Sequence, residues 1–332
     1  RGKKISPLHS FTITSKQKKE TMKIGLLDID GHNFPNLALM KISSYHKSRG
    51  DIVEWYNGLE TYDRVYKSKV FMFTSDDLRV IQAPEIIRGG TGYDIDQVLP
   101  DEIEHIMPDY YLYPVSPHYD TLTAYGFLTR GCPNCCPWCI VPFKEGHIQA
   151  HANIDEFLGN QTKAVLMDNN VLACEFGIRQ IEKIIKKKLP IDFNQGLDAR
   201  LIDATIAKLL AQVNWINYIR VACDTSNQIP VVEKAYNLLR RYGYTKRLFC
   251  YTIIRDLEES YKRISYFRNK KEFIPYAQPF RDFTNTPPKQ FQKDMAHWTN
   301  KKSLFKSFDF KDFKVRNNFI CKEYFNKSTS IH

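Results

Sequence analysis

No run of about 18 apolar residues interrupts the 332-residue sequence, so no membrane-spanning helix is expected. Arg1–Glu20 is basic and polar and holds no apolar stretch, so it does not read as a secretory signal. Residues 1–21 read instead as a disordered lead, or as sequence carried over from upstream, with Met22 as an alternative start. An evenly spread cysteine framework is missing too. Four of the eight cysteines fall within Cys132–Cys139, and the others (Cys174, Cys223, Cys250 and Cys321) are scattered. A secreted disulfide scaffold would be small and evenly cysteine-rich, so a reducing cytoplasm and a metal site are expected. Acidic residues are in deficit: 37 against 48 basic ones, a net charge of +11. That balance suits an anionic partner such as nucleic acid, and it equally suits a plain basic surface.

What is present is an alternation of strand and helix signals. Lys23–Asp30 reads as a buried strand, Asn36–Arg49 as a helix closed by Gly50, and Asp51–Tyr56 as a short strand. Asp63–Thr74 and Val80–Arg88 offer further strands, followed by Gly89-Gly90-Thr91-Gly92, a turn or a phosphate-approaching loop. Short connections in that order argue for an open parallel sheet. Pro108–Pro117, with its tyrosines and prolines, reads as a linker across a surface. From Ala124 onward six strand–helix units follow, with strands at 124–129, 164–168, 191–193, 218–223, 247–254 and 273–278. Six such units suit a three-quarter barrel better than a flat sheet, although spacing alone does not separate the two. In such barrels, function sits at the carboxyl ends of the strands. Asp168, Asn169 and Asn170 fall there, as do Asn194, Gln195 and Asp224. Each is also ordinary loop and cap chemistry; only their recurrence points to a site.

The sharpest signal is Thr129-Arg-Gly-Cys-Pro-Asn-Cys-Cys-Pro-Trp-Cys-Ile140. It divides either as CxxxCxxC, using Cys132, Cys136 and Cys139, or as two abutting CxxC pairs that include Cys135. Zinc favours four ligands in a tetrahedron, usually from knuckles distant in sequence. Two abutting pairs can hardly wrap one ion, whereas three thiolates on one loop suit a 4Fe–4S cubane with one open iron. A structural zinc and reactive thiols remain the alternatives.

With CxxxCxxC after a strand and the aromatic Trp138 just before the third cysteine, the chain resembles the radical S-adenosylmethionine (radical SAM) superfamily over roughly residues 124–282. The resemblance implies cluster ligation by Cys132, Cys136 and Cys139, S-adenosylmethionine on the open iron, and Trp138 near its adenine. By position it places Asp168, Asn169 and Asn170 near the cofactor's amino group, although that loop usually carries Gly-Gly-Glu-like residues. It places Asp224 near the ribose, and Gln195 and Arg200 at the cofactor carboxylate or the substrate; Arg200 reads equally as a surface arginine. It further implies reductive cleavage to a 5′-deoxyadenosyl radical that abstracts hydrogen from a substrate, and a one-electron donor such as flavodoxin or ferredoxin.

Residues 22–113 are similar to the Rossmann-type domain that precedes the barrel in cobalamin-dependent members. Asp30-Gly31-His32 matches two positions of their DxHxxG motif, but Pro35 replaces the final glycine. His32 is therefore a candidate cobalamin contact, or a histidine bonding within its loop. No three-cysteine set precedes Cys132, which disfavours a methylthiotransferase. The expected fold is α/β: a Rossmann-like open parallel sheet at 22–113, then a partial (β/α)6 TIM-type barrel at 118–285. A basic, aromatic tail at 286–332 is expected to pack on the barrel. The tail's interleaved lysines and phenylalanines could also bind single-stranded RNA. Two other functions stay open: an iron–sulfur electron-transfer or sensing protein that does not cleave the cofactor, and a zinc-stabilised nucleic-acid-binding module.

Overall fold

The computed structural model describes residues 20–31, 34–282, 286–316 and 319–328. Four strands, β1 (Lys23–Asp28), β2 (Ile52–Trp55), β3 (Arg64–Ser68) and β4 (Glu85–Gly89), form a parallel sheet in the order β2-β1-β3-β4. Helix α1 (Leu37–Ser48) supplies the β1–β2 crossover, capped by Asn36, whose side chain accepts from the Leu39 N–H. Ile24 and Leu26 of β1 bury against Leu39 and Ile42 of α1, as alternation along a strand requires. The expected order is present, but β3 is shorter than the apolar run suggested, and the β2–β3 and β3–β4 connections are loops. The short α2 (Asp101–Glu104) follows.

Gly90 and Gly92 are explained by the protein's own backbone rather than by a phosphate. Gly90 has φ +93°, and a Cβ there would come within 2.4 Å of the Lys69 carbonyl oxygen. The Gly92 N–H donates to that same oxygen at 2.9 Å. The segment expected to be a surface linker is in part buried. Tyr110 joins the barrel core, as does Tyr119 just beyond the segment, and the Tyr113 hydroxyl donates to Asp28 at 2.6 Å.

The second unit is built on β5 (Thr123–Gly126), a small antiparallel hairpin of β6 (Thr129–Arg130) and β7 (Gln149–Ala150), and then β8 (Lys163–Leu166), β9 (Ile191–Phe193), β10 (Arg220–Ala222), β11 (Leu248–Ile254) and β12 (Phe273–Pro279). The pairs β5-β8, β8-β9, β10-β11 and β11-β12 are all parallel. The parallel bridges Ile191–Trp215 and Leu197–Val221 join β9 to β10. Six parallel strands therefore stand side by side, and no pairing of β12 back to β5 closes them among the described residues. This is the expected partial barrel.

Helices α3 (Val141–Lys144), α4 (Ile154–Leu158), α5 (Glu175–Lys186), α6 (Ala204–Leu210), α7 (Ile229–Arg241) and α8 (Leu257–Arg268) lie in the connections. On α5, Ile181 and Ile184 bury one face while Lys186 stays in solvent. On β11, Leu248, Cys250, Thr252 and Ile254 are buried, and Phe249, Tyr251 and Ile253 alternate with them to the other side.

The C-terminal segment is helical and hairpin-like by turns. Helix α9 (Gln290–Asn300) lies on β12, and α10 (Lys302–Ser307), the hairpin of β13 (Lys314–Arg316) and β14 (Phe319–Ile320), and α11 (Glu323–Ser328) complete it. The Asn300 side chain donates to the Ala277 carbonyl and accepts from its N–H, at 2.9 and 2.8 Å, which satisfies the free edge of β12. Trp298, Phe305, Phe310 and Phe313 are buried against Ile254, Ile264 and Ala277. Base stacking needs exposed rings, and these four are already committed to the core.

Candidate active site at the barrel mouth

The cysteine loop leaves the barrel just after β5, and its root is pinned three ways. Asp168, beyond β8, accepts from the Leu128 N–H at 3.2 Å and from the Thr129 N–H and hydroxyl at 2.6 and 2.7 Å. Burial pushes its carboxyl up to about 6 despite those donors. Gly131 takes φ +79°, where a Cβ would come within 2.2 Å of the His147 carbonyl oxygen, so only glycine fits this approach. Arg130 grips Glu145 with two bonds of 2.7 and 2.9 Å, and the Cys132 N–H donates to the Gly146 carbonyl. Beyond this root Cys132, Cys136 and Cys139 are half-buried, while Cys135 is exposed.

The three half-buried thiols sit in one another's fields. Burial raises the Cys136 thiol first, and Cys139 and Cys132 raise it further, while Arg200 opposes them. Cys139 is raised by burial and by Cys132, against the Val141 N–H. Among the described residues, no group of three or more His, Cys, Asp or Glu is drawn together closely enough to hold a metal ion. The donor chemistry nevertheless fits a cluster: three soft thiols on one short loop, with an arginine that favours the charged form of Cys136.

The other candidates divide into groups. Trp138 and Asp224 come together: the indole N–H bonds the Asp224 carboxyl, which is raised by burial and also accepts from the Ile253 N–H at 3.0 Å. The Arg255 guanidinium lies 3.9 Å from the Trp138 ring centroid. Asn170 reaches Cys132, with its Nδ2 3.5 Å from the sulfur. Gln195 is exposed beyond β9. The Arg200 fork, expected at the cofactor carboxylate or the substrate, or else on the surface, is occupied by Asp198 at 2.8 and 2.7 Å. Asp168 faces the loop root, where it holds the backbone. His32 lies outside the described residues. Its motif partner Asp30 is buried and accepts from the Val70 N–H at 2.5 Å and the Thr74 hydroxyl at 2.6 Å, so it braces the β3–β4 loop.

Sequence reasoning missed Asp198, Asn134 and Arg255. Asp198 caps the turn Ala199–Leu201 beyond β9, and the strand-end rule that selected Gln195 would also have reached it. Buried Oδ1 atoms of Asn169, Asn170 and Asn194 have no hydrogen-bond partner; they are three of the four such side-chain atoms among the described residues. All three follow β8 or β9, so the unmet polar capacity collects at one mouth.

A cavity of about 720 Å³ lies between the two units. Leu37, Lys41, Tyr66 and Arg88 line it from the N-terminal side, and Phe127, Arg130 and His151 from the barrel side. Lys41 and His151 both bond Glu104 there, at 2.9 and 3.1 Å. Burial pushes the Glu104 carboxyl up, but His151, Lys41 and Arg130 together hold it down at about 2.

No protein-family model matches the sequence, and no curated protein matches it. Among solved structures the chain is similar to TsrM, a radical S-adenosylmethionine methyltransferase from Kitasatospora setae, solved with its tryptophan substrate and a SAM analogue bound. The TM-score is 0.56 at 12% identity, over 80% of this chain and 74% of that one. At that identity the likeness shows the fold alone: an open parallel α/β sheet followed by a partial barrel of parallel strands. No helix among the described residues is long and apolar enough to cross a membrane.

Proposed function

We propose that the chain is a radical SAM enzyme in which Cys132, Cys136 and Cys139 hold a 4Fe–4S cluster at the mouth of the barrel. Residues 118–285 form the catalytic barrel, 22–113 a cobalamin-binding-like unit, and 286–332 a tail that covers the barrel edge. The observation that carries the reading is three half-buried cysteines on one short loop, within electrostatic reach of one another, beside the carboxyl ends of the parallel strands. A bare electron carrier needs no such mouth, and a zinc knuckle needs no partnerless carboxamides around it.

Held by Cys132, Cys136 and Cys139, a 4Fe–4S cluster would supply the one-electron reducing chemistry for cleaving S-adenosylmethionine to methionine and a 5′-deoxyadenosyl radical. The protein's own residues prepare the place. Asp168 and Gly131 fix the root of the loop, so the cysteines beyond it start from an anchored base. Trp138, clamped between Asp224 and Arg255, offers a flat face for the adenine. Asn169 and Asn170 carry acceptor oxygens suited to the cofactor's ammonium group. The electron would come from a flavodoxin or ferredoxin.

The test is anaerobic reconstitution, reduction with dithionite, and detection of 5′-deoxyadenosine. Product above that of a Cys139→Ala control is expected. Its absence from cluster-loaded protein would favour the electron-transfer reading. Cobalamin is the second cofactor of this proposal. The cavity between the units is of cofactor size, and equilibrium dialysis with hydroxocobalamin decides whether it is used. The partners spent by Asp30 favour binding without histidine ligation.

A further inference from the structure

We infer that Asn134 and Asn170 set the reduction potential of the cluster through the Cys132 sulfur, and that Asp198 positions both carboxamides for that task; the inference rests on the cluster reading above. The two amides come from different places, Asn134 from the cysteine loop itself and Asn170 from beyond β8. Yet they converge on the same pair of atoms. Asn134 Nδ2 lies 3.4 Å from Cys132 Sγ and 3.1 Å from Asp198 Oδ2. Asn170 Nδ2 lies 3.5 Å from the sulfur and 3.2 Å from the same carboxylate oxygen.

A carboxamide nitrogen carries two protons and no acceptor. Each amide gives one proton to the carboxylate and the other to the sulfur. Turning either amide over would set its carbonyl oxygen against the Asp198 carboxylate, so the anchor fixes which end meets the sulfur. The Asn170 oxygen is buried without a partner, so no competing bond on that side holds the group in place. Arg200, bidentate on Asp198, in turn fixes the carboxylate. The other sulfurs are served differently. Cys139 meets the Val141 backbone N–H, which a side-chain substitution leaves intact, and Cys136 lies near the Arg200 charge.

Hydrogen bonds to cluster sulfurs favour the more negative, reduced state and so raise the potential. Losing a donor should lower it. Replacing Asp198 is a poor test, because it removes a negative charge and frees two donors at once, with opposite signs. The asparagines are the clean targets.

The experiment compares anaerobically reconstituted wild type, Asn134→Ala, Asn170→Leu and the double variant, with Cys135→Ala as control. Iron and sulfide content are measured first. The midpoint potential then follows from an electron paramagnetic resonance titration without S-adenosylmethionine. The expected result is wild-type iron content with a more negative midpoint in each single variant, a further shift in the double variant, and no shift in the control. Fully loaded Asn134→Ala protein with an unmoved midpoint overturns the inference and leaves the functional reading standing. A wild type that takes up no cluster overturns the functional reading, and the inference falls with it. If Asn170→Leu does not fold, Asn134→Ala, on the half-buried part of the loop, decides alone.

Discussion

After β1, β3 and β4 of the N-terminal sheet, the polar groups bond to the protein's own loops. Asp30 holds Val70 and Thr74, Asn36 caps α1 and bonds Ser68, and the Gly92 N–H meets Lys69. After β8 and β9 of the barrel, by contrast, Asn169, Asn170 and Asn194 each keep a buried oxygen with no partner. A buried acceptor left unmet costs about 1–3 kcal/mol. Among the described residues, the N-terminal ends have been spent on local order, while the barrel mouth carries an unmet cost that a ligand would relieve. Two parallel sheets built by the same rules therefore differ in what their carboxyl ends are ready to do.

The comparison is sharpest in two buried aspartates with matching duties. Asp168→Ala would strand two backbone N–H groups and one hydroxyl in the barrel core, a loss on the order of 3 kcal/mol in urea unfolding, together with poor iron uptake. Asp30→Ala should cost about 1–2 kcal/mol, because its loop is partly solvated, and it should leave 5′-deoxyadenosine formation near wild type. Equal damage to cofactor cleavage from both variants would erase the distinction between the two sheets.

A smaller effect tests the joint between them. Glu104, on α2, meets Lys41 of α1 and His151 just after the β7 hairpin strand. Its carboxyl is held at about 2, below the ordinary 4.5. A depressed carboxyl contributes stability above its unfolded value and loses it as pH falls through the folded value. Wild-type stability should therefore drop between about pH 5 and pH 2 by on the order of 2 kcal/mol more than that of Glu104→Gln. Parallel acid curves for the two proteins would mean that the junction carries no such load.

How far the sequence reached follows the same division. The barrel units were legible where a helix has a clear apolar stripe, as in Ile181 and Ile184 of α5, and where a strand is short, as in β9, whose bounds agree with the expectation. The N-terminal connections were less legible. Residues 69–74 and 80–84 look strand-like by composition, yet they lie in a loop that Asp30, about 40 residues earlier, holds at Val70 and Thr74. The cysteine loop was legible as a motif, but the second ring around it was not. Asp198 pairs with Arg200 two residues on, which reads as a local turn. Only the fold brings Asn134 and Asn170 to its other side. The tail's rings read equally as stacking platform or core; Trp298, Phe305, Phe310 and Phe313 are buried against β11, β12 and α8, while Phe308 stays exposed.

The central claim is the identity of the cluster ligands, and the most direct measurement is iron and sulfide content after anaerobic reconstitution of four single variants. The account predicts about four of each per chain in wild type and in Cys135→Ala. It predicts loss of both in Cys132→Ala, Cys136→Ala and Cys139→Ala. A Cys135→Ala protein that loses the cluster while Cys136→Ala keeps it, or a wild type that takes up zinc and no sulfide, would contradict it.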